Sequence, residues 1–377
     1  MTTNDFDVIV IGGGLAGLTS AIHLAKSEYK VLLIEKQDYP RHKVCGEYVS
    51  NEVLPYLNYL GFDPFEFGAK RITEFELTTH NNKKIEAKLP LGGFGISRYE
   101  MDFRLYKLAQ KLGVQSLQDT VEGVKFKDES FQIRTKSNEI YTSKVAIGAF
   151  GKRSNLDVQF NRAFIKKKSP YLGVKIHVSG KFEDTKVALH NFKGGYCGVS
   201  KVENDHINLC YITNYESFKK LKNIEQFQEN VVFKNEALKA IFSNSKAEFE
   251  KPLTISQISF ETKNPVENHI LMCGDSAGMI HPLCGNGMGM AIRSAKIASD
   301  LIERFLNNEI TSREQLELRY TKAWNSTFQL RLRMGHIIAY LFRQDWLAPK
   351  LLVLLRRLPF LVPIIIRMTH GKPIDIK

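Results

Sequence analysis

With 377 residues, 25% charged and 43% hydrophobic, the chain exceeds a typical domain of about 100–200 residues and can build two domains with a large buried core. Five cysteines, Cys45, Cys197, Cys210, Cys273 and Cys284, form an odd set with no C-x-x-C spacing, which argues against a disulfide scaffold or a zinc site and for a reducing cytoplasm. A net charge of +13 asks for an acidic partner: an anionic membrane, or an acidic carrier or phosphorylated substrate. Nucleic acid is the poorest fit, because the basic residues gather in no recognised motif and the aromatic ones are not interleaved with them.

The apolar run 6–11 predicts a strand that follows Asn4 and Asp5 directly, leaving no room for the basic and apolar regions of a signal peptide. After it, Gly12-Gly13-Gly14-Leu15-Ala16-Gly17 opens a helical pattern over 15–26. Gly12, Gly14 and Gly17 thus sit in the strand-turn-helix context of a dinucleotide fold: the first permits the tight turn, the second lets the backbone approach a pyrophosphate, the third lets helix and strand pack closely. Residues 31–34 read as the second strand. It ends in Glu35, a carboxylate placed for a ribose hydroxyl pair rather than a 2′-phosphate, which favours FAD or NAD over NADP.

Residues 71–96 read as a hairpin, with strands 72–78 and 84–89 around Asn81-Asn82. A second block, 171–213, has β-type runs broken at Ser179-Gly180, Gly194-Gly195 and Asn204-Asp205, and a helical stretch over 217–242 follows. The strand 269–272 then leads into Gly274-Asp275, a turn through Gly285-Asn286-Gly287-Met288, and a helical pattern reaching about residue 305. A helix starting at that turn presents unpaired N–H groups and a positive dipole end, which stabilise a reduced, anionic flavin ring. The tail, 346–368, combines apolar runs at 351–355 and 358–366 with Lys350, Arg356, Arg357 and Arg367, and Pro349, Pro359 and Pro363 interrupt it. Its charge-free runs fall far below the ~20 residues of a spanning helix, so it reads as an interfacial or lid-like segment, against packing on the protein's own core or a dimer interface. The expected location is cytoplasmic, peripheral at the inner face of the membrane. The oligomeric state is left open.

Pro40-Arg41-His42-Lys43-Val44-Cys45-Gly46-Glu47, the stretch from Ser97-Arg98 to Asp102, Gly194-Gly195-Tyr196, and the Gly274-Asp275 segment through Arg293-Ser294 join the N-terminal glycine motif in a further pattern. It resembles the geranylgeranyl reductase family of FAD-dependent oxidoreductases, which share the para-hydroxybenzoate hydroxylase-like fold. The resemblance implies an α/β architecture: a Rossmann-type FAD-binding domain from residues 1–70, 97–155 and 266–330, an inserted α+β substrate domain from 71–96 and 156–265, and a C-terminal helical segment, 331–377. It implies FAD, held by Gly12, Gly14, Leu15, Ala16, Gly17, Glu35, Lys36, Arg41, Cys45, Gly46 and Arg98. It also implies that Val121 lies near the adenine, that Gly274 and Asp275 contact the ribityl chain, and that Gly285, Asn286, Gly287 and Met288 lie beside the pyrimidine end of the ring. No metal is implied.

Three departures stand out. Phe150 occupies a position where the family has Asp, in Ala149-Phe150-Gly151-Lys152-Arg153-Ser154, so the nicotinamide route is open and the external electron donor is either NAD(P)H or a ferredoxin. Tyr196 is followed by Cys197-Gly198-Val199-Ser200 in place of a Trp-x-Phe-Pro element, which implies a different substrate wall. Glu47 replaces a glycine, bringing a carboxylate close to the flavin.

Three residues are catalytic candidates. Cys45 is placed over the ring by the resemblance, where a thiol orients substrate or delivers a proton; the alternative is a small buried core residue. His281 is a proton donor or a packing histidine, and Tyr196 a hydroxyl donor or an aromatic wall. The expected function is reduction of carbon–carbon double bonds in an isoprenoid or similar lipophilic chain. The alternatives are a flavin monooxygenase of a lipophilic or aromatic substrate and a non-catalytic FAD-binding subunit at a membrane surface.

Overall fold

The computed structural model describes residues 5–167, 169–219, 221, 223–343 and 348–376. The β-branched run Val8-Ile9-Val10-Ile11 lies in the central strand, Asp5–Ile11, of an eight-stranded sheet. Its parallel core runs in the order Ile270–Met272, Ile140–Gly148, Asp5–Ile11, Val31–Glu35, Gln115–Gln118. Val8, Ile9 and Val10 are all fully buried, so the strand reads as a continuous apolar run and not an alternating one, as a parallel strand covered on both faces must. Helix Leu15–Lys26 packs between Gly287–Leu306 and Arg98–Lys111. An antiparallel meander, Val121–Lys127 and Ser130–Thr135, feeds into Ile140–Gly148. Because the core strands are parallel, their C-terminal ends fall on one edge and bring Gly12, Glu35, Ala149 and Cys273 into a row, where open α/β sheets bind ligands.

The second sheet has nine strands, and the hairpin is part of it. Lys70–Thr78 pairs antiparallel with Lys84–Gly95 and parallel with Lys186–Phe192, and Gly195–Lys201, Ile207–Asn214 and Tyr171–Ser179 continue the sheet. Tyr48–Ser50 pairs with Lys84–Gly95, so the segment that carries Cys45 and Gly46 passes directly from one sheet to the other. On one side the sheet buries Leu209 and Tyr211 against Phe227 and Leu238. The helical stretch predicted over 217–242 is three short helices, Tyr215–Lys219, Ile224–Asn230 and Glu236–Ser243. Asn223 and Asn235 divide it, each accepting from a backbone N–H three residues on, at 3.0 and 3.2 Å, and so starting a new helix.

The 31-residue helix Arg313–Arg343 crosses residue 330 without a break, and two shorter helices follow, Ala348–Arg357 and Leu361–Thr369. Trp346 of the predicted tail lies outside the described residues. Leu355 and Val362 pack on Leu77 and Ile85 of the hairpin. The end of the tail is stitched down: Asn286 Nδ2 donates to the Thr369 carbonyl at 2.9 Å, the Ile374 N–H donates to the Glu52 carbonyl at 2.8 Å, and buried Glu52 pairs with Arg293 and Arg331 at 3.0 and 3.3 Å. Among the described residues, no helix is long and apolar enough to cross a membrane.

Candidate active site

The opening turn is built so that backbone, not side chain, faces the crevice. Gly12 has φ +103°, and a Cβ there would strike the main chain of Ala149; a Cβ at Gly17 would strike the Gly12 carbonyl. A Cβ at Gly14 would meet only the Arg98 guanidinium, at 3.8 Å, and no side chain caps the Leu15–Lys26 helix. That helix start therefore offers its N–H groups and positive end to an anion. Glu35 is held in place: its Oε2 accepts from the Gly13 N–H at 2.7 Å, while Oε1 accepts from the Gln37 N–H at 3.0 Å and pairs with Arg41 at 2.9 Å.

Arg98 binds Asp102 through both carboxylate oxygens, at 2.6 and 2.7 Å, and Lys43 adds a third bond at 2.7 Å. Asp102 is fully buried, yet Arg98 and Lys43 outweigh the desolvation that would raise its pKa and hold the carboxyl below its usual range. Burial also acts on Lys43 and lowers its pKa, against the pull of Asp102. This triad fixes Arg98 beside the turn. An Arg–Asp pair four residues apart on one helix is visible in sequence, and Asp102 is nonetheless absent from the predicted site residues.

Glu47 is the centre of a second buried cluster. It has φ +54° and no solvent exposure. Its carboxylate accepts from Lys175 Nζ and from the Arg98 N–H at 2.7 Å, and lies 2.6 Å from His177 Nε2. Burial alone would raise the Glu47 pKa, but Lys175 and His177 hold it low. His42, 5.2 Å from the His177 ring, is pushed down to about 4, first by burial and then by Lys175 and His177. Lys175 and His177 are two apart in the apolar run of Tyr171–Ser179, so they share a face of the strand. That spacing was the available signal for both.

A cavity of about 900 Å³ runs from Gly14, Leu15 and Ala16, past Lys36, Arg41, Cys45, Gly46 and Arg98, to Gly274, Asp275, Gly285, Gly287 and Met288. Gly46 and Gly287 have open space where a Cβ would stand. Gly12 and Gly17 stand behind this wall as packing positions, and Asn286 is fully buried, with Oδ1 unpartnered within the described residues. Val121 lines a separate cavity of about 330 Å³ with Lys36 and Arg153. Phe150 is in the wall of the larger cavity, followed by Lys152 and Arg153. The main-chain carbonyl of Asp275 accepts from Lys263 Nζ at 2.6 Å, and burial pushes that amine down to about 8.

The three catalytic candidates are placed differently. Cys45 is half-buried in the cavity wall, its Sγ 3.4 Å from Met288 Sδ. Tyr196 also lines the cavity; its hydroxyl is buried and has no partner among the described residues, and burial raises its pKa well above 10. His281 stands apart from the wall. Its Nδ1 accepts from the Leu283 N–H at 3.3 Å and its ring is boxed by Phe260, Tyr171 and Tyr196, with the Phe260 centroid 4.6 Å away. Two further wall cysteines, Cys210 and Cys284, are pushed up to about 12 by burial, which keeps them as thiols.

The glycine cradle at 12–17, the carboxylate at its rim, the half-buried cation at Arg98 and the uncapped second helix start fit a flavin adenine dinucleotide. Its pyrophosphate would lie at the Leu15–Lys26 helix start and its ring between Cys45–Gly46 and Gly285–Met288. Residues 7–44 match a family model described as FAD dependent oxidoreductase. The conditioned medium factor receptor 1 of Dictyostelium discoideum is 24% identical, over 90% of this chain and 71% of its own. Digeranylgeranylglycerophospholipid reductase of Methanococcus vannielii is also 24% identical, over 85% of this chain and 82% of its own. Among solved structures, the flavin-dependent brominase Bmp2 superposes with a TM-score of 0.80 at 19% identity, covering 98% of this chain and 94% of that one. The chain is an FAD-dependent oxidoreductase with the para-hydroxybenzoate hydroxylase-like fold, and over most of its length it is similar, at 24% identity, to digeranylgeranylglycerophospholipid reductases.

Proposed function

We propose that the protein reduces carbon–carbon double bonds in an isoprenoid or similar lipophilic chain. The observation that carries this reading is the cavity wall beyond the flavin clasp. From the sheet come Leu77, Ile85, Leu89 and Leu189, and from the C-terminal helices come Ile338 and Leu355, all aliphatic. Such a wall suits a hydrocarbon chain and offers few anchors for a small polar aromatic. The digeranylgeranyl lipid in the name of the Methanococcus relative is a substrate of that kind.

When bound, reduced FAD would supply a hydride, with its electrons drawn from an external donor, NAD(P)H or a ferredoxin. The chain's own residues do the rest. Arg98, Lys152 and Arg153 offset the negative charge of the cofactor. The aliphatic wall excludes water and holds the alkene against the ring face. Tyr196 and Cys45 stand in the wall as the candidate donors of a proton to the second alkene carbon, and solvent would return a proton to whichever oxygen or sulfur gives it up. Addition of one hydride and one proton saturates one double bond.

The test is anaerobic. The flavin is photoreduced and a polyprenyl lipid added, and return of the oxidised flavin spectrum together with a product gaining two hydrogens per double bond is expected. A product gaining oxygen only after air is admitted would replace the reductase reading with that of a monooxygenase. Redox silence towards every lipid tried would leave a structural flavoprotein.

A further inference from the structure

The two tail helices are apolar on both faces. Leu351, Leu355, Val362, Ile365 and Ile366 turn inward and close the cavity. Outward, Leu354 is 46% exposed, Phe360 60% and Ile364 45%, with Val353, Leu358 and Met368 also exposed. Val353 and Leu354 lie on the first helix with Leu358 just beyond its end, and Ile364 and Met368 stand four apart on the second, so exposed apolar side chains run along both. A contiguous set of exposed apolar side chains of this kind marks an interaction surface. The outer face is also uniformly cationic: Lys350, Arg356, Arg357 and Arg367 are exposed, and no Asp or Glu occurs between residues 346 and 374. The segment is tied down at the end of its last helix by the Asn286–Thr369 bond and beyond it by the Glu52–Ile374 bond, so the surface is fixed. Ile337, on the long helix that packs against both tail helices, belongs to the cavity wall and is 49% exposed.

We infer that the outer face of Ala348–Arg357 and Leu361–Thr369 docks on an anionic lipid bilayer, lying in the interface without crossing it. Apolar residues enter the acyl boundary while the arginines face the headgroups, the arrangement of a monotopic amphipathic anchor. The mouth of the cavity then opens at the depth where a lipophilic chain resides, so substrate enters without passing through water. A second copy of this chain fits less well, since it would bring two acid-free cationic faces together.

Vesicle binding reads this without turnover and is independent of the reaction. Full-length, FAD-loaded protein is co-sedimented with vesicles of phosphatidylcholine alone and of an equimolar phosphatidylcholine–phosphatidylglycerol mixture. Each basic residue near an anionic surface raises partitioning about fivefold, so the mixed vesicles are expected to bind at least about tenfold more tightly. Arg356→Glu with Arg357→Glu removes that preference. Leu354→Ser with Phe360→Ser weakens binding to both compositions, by about tenfold per residue at most, and keeps the preference. All four side chains are exposed, so FAD content and Tm should not change, and both are measured. Equal binding to the two vesicle types, binding unaffected by either pair, or a dimer that ignores vesicles would overturn the proposal.

Discussion

Glu47→Gln separates the buried charge cluster from everything else at the site. The substitution keeps shape and one acceptor oxygen, so the Arg98 N–H bond survives, but Lys175 loses its counter-charge in a place where both side chains are 0% exposed. Removing one partner of a buried pair costs about 3–5 kcal/mol, because the remaining charge is left uncompensated. For 377 residues, an unfolding entropy near 2.1 cal/mol/K per residue turns 3 kcal/mol into a Tm loss of about 4 °C. Adding Lys175→Met removes the orphaned charge, so the double variant should recover more than half of the loss. Glu47→Gln should also change the acid limb. A carboxyl whose folded pKa is depressed stabilises the fold above its unfolded value of about 4.3, and that stability is lost as pH falls through the folded pKa. The variant should therefore lose less stability than wild type below about pH 4. The assay is differential scanning fluorimetry of FAD-loaded protein with flavin retention read in parallel. A Tm loss below about 1 °C, or a double variant less stable than Glu47→Gln, would refute the account of Glu47 as a buried charge held by Lys175.

Gly12→Ala places a Cβ against the Ala149 main chain at φ +103°, so protein purified by size exclusion is expected to carry less than about a tenth of the wild-type flavin absorbance, since neither strain nor clash can relax cheaply; full flavin content would contradict the cradle. His190, 1% exposed and bonded through Nδ1 to Thr78 Oγ1 at 2.8 Å, is held neutral by burial, its pKa lowered to about 4. The unfolded chain binds this proton first, so its stabilising contribution is full above about pH 6.5 and is lost as pH falls towards 4. His190→Asn should flatten the decline of Tm between those values, and an unchanged slope would count against it.

What the sequence made legible follows from how local each constraint is. The turn at 12–17, Glu35 and the second helix start are set by neighbours in the chain, because a glycine that must adopt φ +103° or a strand that must be apolar on both faces leaves its mark in place. The same holds for the breaks at Asn223 and Asn235, which are capping residues and could have been read as such. Lys175 and His177 were harder to read, since their meaning lies with Glu47, about 130 residues earlier, and only the parity of the strand hints that they share a face. His281 shows the converse. A turn beside the flavin site is a good place for a proton donor, but the backbone N–H of Leu283 and three aromatic rings take up its surroundings, and no sequence pattern reveals which way a ring turns.

The distribution of polarity around the cavity joins these local facts to the chemistry. The buried carboxylates near the flavin clasp are matched, Asp102 by Arg98 and Lys43 and Glu47 by Lys175, while buried Lys263 donates to the main-chain carbonyls of Lys152 and Asp275. Buried charge of this kind contributes little net stability compared with packed hydrocarbon, so the two clusters beside the flavin clasp need another cause, and an anionic cofactor that must be bound and oriented supplies one. The other end is aliphatic and is closed by helices whose outer faces are apolar and cationic. A small, water-soluble substrate would require neither that wall nor that exterior. A chain drawn from a bilayer requires both, and under the proposed reduction it would lie along the wall with its double bond at the flavin clasp, where a proton and a hydride would meet.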